Sequence, residues 1–240
     1  MKNILVDIGN STHCKAAVTD GDSILSVRRI PRKDLRMVME DEVSRRGPAD
    51  VLCVSSVAGE EDSPGNWCAG MCRKYVQVSA DIRLPLQLDY GTPGTLGADR
   101  IAAAAGAAAV FPGESCMIFV SETALTVDFV TAGGMFSGGN ISPGLSMRLK
   151  AMHEFTGRLP LVEAYEPVRP IGKTTAEALV NGTVSGMMFE VEKYIENNPG
   201  SRVIFTGGDA VFFAKMLKTP IFVVCNLVFI GLSKIAQLNG

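Results

Sequence analysis

Basic excess, long apolar runs, histidine and paired cysteines are all scarce in this 240-residue chain, and each shortage removes a class of protein. Lys and Arg number 23 against 25 Asp and Glu, a formal charge of −2. A nucleic-acid binder that works through phosphate neutralisation needs a basic excess or stripe, so no nucleic-acid partner is expected. The longest nearly unbroken apolar stretch, Ile221 to Leu232, is interrupted by Asn226 and is too short to span a bilayer. Asp7 and Asn10 fall where the apolar region of a signal peptide would lie. A soluble, cytoplasmic protein without a membrane partner is the expectation. Only two histidines occur, His13 and His153, and there is no Gly-x-Ser-x-Gly elbow, so a Ser-His-Asp hydrolase has no support. The six cysteines, at 14, 53, 68, 72, 116 and 225, show no paired spacing. Cys68 and Cys72 stand four apart and could share a metal, but no second pair or nearby histidine completes a tetrahedral site. Buried, reduced thiols are the expected state. A Walker loop fails as well: Gly172-Lys173-Thr174 has the right ending, but Pro167 stands where its first glycine belongs.

What is present is a large apolar fraction, 47%. A globule of this size buries roughly 70–75% of its unfolded surface, so folding requires neither disulfide nor metal. The apolar run Asn3 to Asp7 reads as a buried strand, resuming through Cys14 to Val18. Asp20-Gly21 marks a hairpin turn, and Ser23 to Arg29 a third strand. Lys33 to Arg46 carries Leu35, Val38, Met39 and Val43 on one helical face and ends at Gly47-Pro48, before a short strand from Val51 to Ser55. Ala102 to Ala109 reads as a closely packed helix.

Shifted by 113 residues, the opening recurs. Met117 to Val120 overlays Ile4 to Asp7, Thr123 falls on Asn10, and Gly134 falls on Gly21. Helical patterns follow at about 143–156 and 174–197, then a strand at 202–206, a helix from about 208, a strand at 221–225 and a closing helix. A repeat near half the chain length predicts a duplicated α/β unit, each copy with three meandering strands and then helix-strand crossovers. The expected division is 1–112 and 113–240.

Four glycine-bearing loops carry the candidate chemistry. Asp7-Ile8-Gly9-Asn10-Ser11-Thr12 turns tightly at a strand end. Glycine admits close backbone approach, and Asn, Ser and Thr add donors to the backbone N–H groups, which suits phosphate. A carboxylate beside phosphate needs a cation, most simply magnesium, to offset it. An ordinary hairpin turn rich in turn formers reads the same way. In Asp89-Tyr90-Gly91-Thr92-Pro93-Gly94-Thr95-Leu96-Gly97-Ala98-Asp99-Arg100, three glycines precede a helix of small residues. The carboxylate of Asp99 can take a proton from a hydroxyl, and Arg100 can clamp an anion. A plain helix cap is the alternative, although Arg100 in a first turn is poorly placed for the dipole. Gly133 to Gly144 and Phe205-Thr206-Gly207-Gly208-Asp209-Ala210 are the third and fourth loops, each leading into a helix.

Together these residues resemble the type III pantothenate kinases of the acetate-kinase, sugar-kinase, Hsp70 and actin superfamily. The resemblance covers nearly the whole chain. Its carriers are Asp7-x-Gly9-Asn10-Ser11, Gly94 to Arg100 as the most specific signature, Thr123 to Asp128, Gly138 to Leu145, Thr156 to Pro160, Gly172 to Thr175, and Thr206 to Asp209. It implies duplicated ribonuclease H-like (actin-like ATPase) units with mixed sheets flanked by helices. It also implies transfer of the ATP γ-phosphoryl group to pantothenate, giving 4'-phosphopantothenate at the start of coenzyme A synthesis. Homodimers, magnesium, and potassium or ammonium belong to the same implication. By motif, Asp99 matches the general base. Tyr90, Gly97, Ala98, Asp99, Arg100 and Thr175 match pantothenate contacts. Asp7, Ile8, Gly9, Asn10, Ser11, Thr12, Thr123, Gly207 and Gly208 match nucleotide contacts, with Asp7 also orienting magnesium through water.

One segment departs from the family. Members read Asp-x-Gly before the Thr-Ala-Leu-Thr stretch, where this chain reads Val120-Ser121-Glu122. The carboxylate that serves the monovalent cation is replaced by Val120, and a phosphate-contacting glycine by Glu122. The chain's own first half gives the same contrast, because Asp7 overlays Val120 and Gly9 overlays Glu122. Two function classes follow: an active pantothenate kinase with altered cation use, or a catalytically weak member serving as a nucleotide-binding or transcription-accessory protein.

Overall fold

The expected strands and helices assemble around two mixed sheets that share one strand order. A computed structural model describes residues 1–9, 11–57, 63–164 and 169–240. In the first sheet, β1 (Lys2–Ile8), β2 (His13–Asp20) and β3 (Ser23–Pro31) form an antiparallel meander. After helix α1 (Leu35–Arg46), β4 (Ala49–Ser56) and β5 (Cys72–Gln77) add in parallel on the other side of β1, giving the order β3-β2-β1-β4-β5. Strand alternation sends Ile4, Val6 and Ile8 to one face, where they pack with Leu35 and Met39 of α1 and with Ile30, Leu52 and Val54. The meander's last strand runs two residues past the expected Arg29, because His13 pairs with Pro31.

The second sheet contains β6 (Gln87–Leu88), β7 (Cys116–Ser121), β8 (Ala124–Val130), β9 (Met135–Pro143), β10 (Arg202–Thr206) and β11 (Phe222–Val223) in the order β11-β10-β7-β8-β9-β6. Leaving β6 aside, β9-β8-β7-β10-β11 repeats the first order element for element. The register repeats too: Asp7 pairs with Ser55 on β4, and Val120, 113 residues later, pairs with Thr206 on β10. Duplicated ribonuclease H-like units, mixed sheets flanked by helices, are therefore the architecture.

By contact density the chain divides into one unit of 1–114, 129–138 and 226–240 and another of 115–128 and 139–225. In the first unit α2 (Ala98–Val110) packs along α6 (Leu227–Asn239), the closing helix. Ala102 to Ala105 are fully buried, and the helices meet at Gly106 and Gly231, where any side chain would strike the opposite backbone. Small residues along one stripe are what allow that approach.

In the second unit Phe119 stacks on Phe205 at 4.7 Å between centroids. Helix α4 (Thr175–Asn197) buries Val180, Val184, Met187 and Val191, a helical stripe. Thr174 caps it by accepting the Glu177 N–H at 3.2 Å, and Glu177 reaches back to the Lys173 N–H at 2.7 Å. Helix α3 (Leu145–Glu154) is tied to α4 by an Arg148–Glu190 ion pair, and Ser142 donates to Glu190 at 2.7 Å. Helix α5 is only Ala210–Ala214, and β11 is two residues rather than the expected 221–225. Pro220 precedes β11 and Asn226 begins α6, so one apolar run is shared between two elements.

Candidate functional site

In the first unit, Asp7 stands near the C-terminal end of β1, half-buried, in register with Lys15 on β2 and Ser55 on β4. Ile8 is buried in the α1-side core, so only its backbone is available to a ligand. Nothing lies within 4 Å of where a Gly9 side chain would begin, which leaves that face of the turn open. Asn10, expected as a phosphate contact, lies outside the described residues. Ser11 and Thr12 are exposed. The Ser11 hydroxyl closes the turn, donating to the His13 carbonyl at 2.7 Å and accepting the His13 N–H at 3.2 Å. Thr12 Oγ1 sits 3.1 Å from His13 Nδ1.

The Gly94–Arg100 segment also lies in this unit. Gly97 is the N-cap residue of α2, with no side-chain cap hydrogen bond. Asp99 occupies the first turn, and its Oδ1 accepts the Arg100 backbone N–H at 2.9 Å. A side chain at Gly97 would meet that carboxylate oxygen at 2.5 Å, so the glycine keeps room for it. Arg100 is 5% exposed. Its guanidinium carbon lies 5.8 Å from the Tyr90 ring centroid and 5.6 Å from that of Phe136, and the two rings meet edge to face at 5.9 Å. These are cation–π distances, and the aromatic pair fixes a delocalised cation in a buried place. Phe136 was not a sequence-level candidate. It lies on β9, so most of the segment read from sequence as the third glycine loop is a strand, and nothing in the linear pattern couples Phe136 to Arg100. Ala98 is buried and packs rather than presenting a polar group.

In the second unit the β7–β8 turn carries the departed segment. Val120 is half-buried, Ser121 fully buried, and Glu122 and Thr123 are exposed. The Glu122 N–H donates to the Ala124 carbonyl at 3.0 Å, and Thr123 accepts the Gly144 N–H at 3.1 Å. Gly207 has φ +94° and lies so close to the turn that a side chain would sit 2.9 Å from Glu122 Cγ. Only glycine fits both requirements. Gly208 faces open space. Asp209, also absent from the candidates, is joined to the turn twice: Ser121 Oγ donates to its carboxylate at 3.3 Å, and its N–H donates to the Ser121 carbonyl at 3.2 Å. Burial raises the Asp209 carboxyl above the usual range. The Ser121 bond opposes that rise, and the Glu122 charge adds to it. Thr123, Gly207 and Gly208 thus share one locality, whereas Thr175 is exposed at the start of α4.

Among the described residues no three His, Cys, Asp or Glu side chains gather to hold a metal. None of the six cysteines is in a disulfide: Cys14, Cys53, Cys68 and Cys116 are buried and Cys72 half-buried, but Cys225 is exposed, contrary to expectation. Cys68 and Cys72 flank a turn rather than sharing a helix face.

A family model for type III pantothenate kinase matches residues 3–197. The chain belongs to that family. A type III pantothenate kinase of Cytophaga hutchinsonii is 38% identical over 99% of both chains. Among solved structures, a putative Baf family transcriptional activator from Campylobacter jejuni aligns with a TM-score of 0.66 at 21% identity, covering 98% of each chain. A putative 2-dehydro-3-deoxygalactonokinase from Sinorhizobium meliloti aligns at 0.63 and 12%, again over 98% of each. At such identities the structures report the shared fold. Among the described residues, no helix of this pantothenate kinase family member is long and apolar enough to cross a membrane.

Proposed function

We propose that this chain transfers the γ-phosphoryl group of ATP to the primary hydroxyl of pantothenate. The observation that carries the reading is the Asp99–Arg100 pair, set behind Gly97 at the start of α2 with Arg100 held against Tyr90 and Phe136. Phosphoryl transfer asks for positioning, charge neutralisation and one proton acceptor. Asp99 accepts the hydroxyl proton as that oxygen attacks the γ-phosphorus and ADP leaves. Arg100 holds the acceptor's carboxylate, with Tyr90, Gly97, Ala98 and Thr175 shaping its site. The residues proposed as nucleotide contacts are Asp7, Ile8, Gly9, Asn10, Ser11 and Thr12 in the first unit and, in the second, Thr123, Gly207 and Gly208.

Magnesium fits this donor set only as an ion shared with the nucleotide. One half-buried carboxylate, Asp7, is available to it through water, and no all-protein cage is built. When bound, magnesium supplies charge neutralisation to the phosphates. Potassium or ammonium does not fit at Val120, whose side chain offers no oxygen. A homodimer is supported by the outward face of α4, where Phe189 is 69% exposed beside Gly182 and Gly186. Free thiols suit a reducing, cytoplasmic setting, and the −2 charge suits small ligands over nucleic acid. The boundary near residue 112 is proposed as the seam of duplication, supported by the repeated strand order.

Glu122 and Val120 favour a second reading, a nucleotide-binding member with little turnover. An ATP-dependent phosphorylation assay with pantothenate, with and without potassium, separates the two. Product formation that requires Asp99 supports the kinase. Nucleotide binding without product supports the alternative.

A further inference from the structure

We propose that a cleft on the β2–β3 side of the Asp7 loop is a binding subsite for a phosphate oxyanion, with Arg32 as its principal ligand. The cleft has a volume of about 620 Å³ and is lined by Ser11, Thr12, His13, Pro31, Arg32 and Lys33. Its lining thus includes two cationic residues, a histidine and two hydroxyl residues, and among the described residues no carboxylate. The strands dictate this gathering. His13 opens β2 directly opposite Pro31 at the end of β3, and the Arg32 N–H donates to the Thr12 carbonyl at 2.9 Å. The chain leaving β3 is thereby fastened to the loop leaving β1.

Arg32 is the group that asks for a ligand. Its Nε is buried and has no hydrogen-bond partner among the described residues. Four other arginines of this unit are held in ion pairs: Arg28 and Arg46 with Glu42, Arg36 with Glu40, and Arg45 with Asp41. A guanidinium taken partly from water without a counter-ion is costly, and a planar oxyanion acceptor satisfies its fork of donors. The Ser11 and Thr12 hydroxyls belong both to the expected phosphate loop and to this cleft. An oxyanion here comes either from the polyphosphate tail of the nucleotide or from a separate inorganic or organic phosphate. Only the first of these rests on the kinase reading.

The chain has two histidines, and they make a clean pair of probes. His13 lines the cleft, while His153 lies on α3 with Nδ1 at 2.7 Å from the Leu159 carbonyl. Inorganic tripolyphosphate added to the full chain should shift the His13 ring resonances and leave those of His153 in place. Arg32→Gln should weaken tripolyphosphate binding by about 10- to 100-fold, the scale of a lost charged hydrogen bond, and Arg32→Lys should recover part of it. If Arg32→Gln also weakens ATP but not adenosine, the anion is the nucleotide's tail. If inorganic phosphate and tripolyphosphate weaken while ATP does not, the subsite takes a separate anion. An unmoved His13 in the unmodified protein, or tripolyphosphate binding unchanged in Arg32→Gln, overturns the subsite. Should Arg32→Gln fail to fold, the unmodified chain's histidine response and Arg32→Lys decide the matter. A chain that phosphorylates pantothenate normally while His13 stays silent loses the subsite and keeps the function.

Discussion

Glycine-to-alanine substitutions in two helices should change stability in opposite directions, because the helices meet different surroundings. At Gly231 on α6, an added Cβ would lie 2.7 Å from the Ala102 carbonyl carbon and 2.8 Å from the Gly106 nitrogen, with the Ala102 oxygen nearer still. Ordinary contact begins near 3.4 Å, and the Ala102 oxygen, the nearest of the three atoms, sets the displacement, so α6 and α2 must separate by well over the roughly 0.7 Å that the carbonyl carbon alone would require. The obstructing atoms are backbone and cannot rotate aside. Overpacking costs about 1–3 kcal/mol, and a backbone clash belongs at the upper end. Alanine returns about 1 kcal/mol of helix propensity. The net expectation for Gly231→Ala is a loss of about 2 kcal/mol, or about 4–8 °C in Tm for a chain of this length. At Gly186 on α4 nothing lies within 4 Å of the added Cβ. Within one subunit only the propensity remains, so Gly186→Ala should gain about 0.5–1 kcal/mol in the monomer, and less than that where a second copy covers this face of α4.

Circular dichroism melts of the three proteins measure both shifts. The single tryptophan, Trp67, packs against the first unit's core and reports that unit separately by fluorescence. Because α2 carries Asp99 and Arg100 in its first turn, Gly231→Ala should also raise the KM for pantothenate. A Gly231→Ala protein that melts at or above the parent would refute the reasoning about helix contact.

Asp99→Asn should leave substrate binding near the parent value and reduce kcat by roughly 10²–10⁴-fold, as expected for loss of a general base; full turnover under chemistry-limited conditions removes that role. Val120→Asp with Glu122→Gly, made together because neighbouring changes need not add, should tighten ATP binding and introduce potassium dependence. Titration calorimetry with and without potassium checks this, and an unchanged ATP affinity counts against it. Asp209 has its carboxyl raised by burial, so its contribution to stability is full below the ordinary carboxylate range and is lost as pH rises through the raised value. Asp209→Asn should therefore shift the urea midpoint upward at pH 7 and shift it little at pH 3.5; a gain that is equal or larger in acid contradicts this account.

Periodicity made the framework legible. The strand at 202–206 and the helix beginning near 174 were readable because a run of apolar residues or a helical stripe is a local signal. The 113-residue repeat was legible for the same reason, and the structure returns it as matching register, Asp7 beside Ser55 and Val120 beside Thr206. Contacts between distant segments were not legible. Phe136 meets Arg100 because Gln87 and Leu88 pair with Met135 and Phe136, bringing the Tyr90 segment alongside β9. No local pattern encodes that pairing. Asp209 reaches Ser121 across 88 residues for a similar reason: β10 lies parallel to β7 and delivers its following loop to the β7–β8 turn. Gly106 and Gly231 looked like unfavourable helix residues in isolation, and only the contact between α2 and α6 explains them.

The acceptor and nucleotide motifs have diverged to different degrees, and electrostatics explains what that does. On the reading proposed above, Asp99, Arg100 and Tyr90 serve the acceptor, and Arg100 is buried against two rings. At the β7–β8 turn the chain carries Glu122, whose charge adds to the burial that raises the Asp209 carboxyl. A carboxylate about 4 Å from a phosphate charge repels it by about 4 kcal/mol at an effective dielectric near 20. Glu122 is exposed and can swing toward solvent, which reduces that figure. Its Cγ nevertheless lies near the place a Gly207 side chain would occupy, so its stem is held close to the loop proposed to bind the nucleotide. The cost of this arrangement therefore falls on ATP rather than on pantothenate. A high KM for ATP combined with a KM for pantothenate typical of the family is the kinetic form of that argument, and it distinguishes a kinase with an altered nucleotide loop from one whose acceptor site has also decayed.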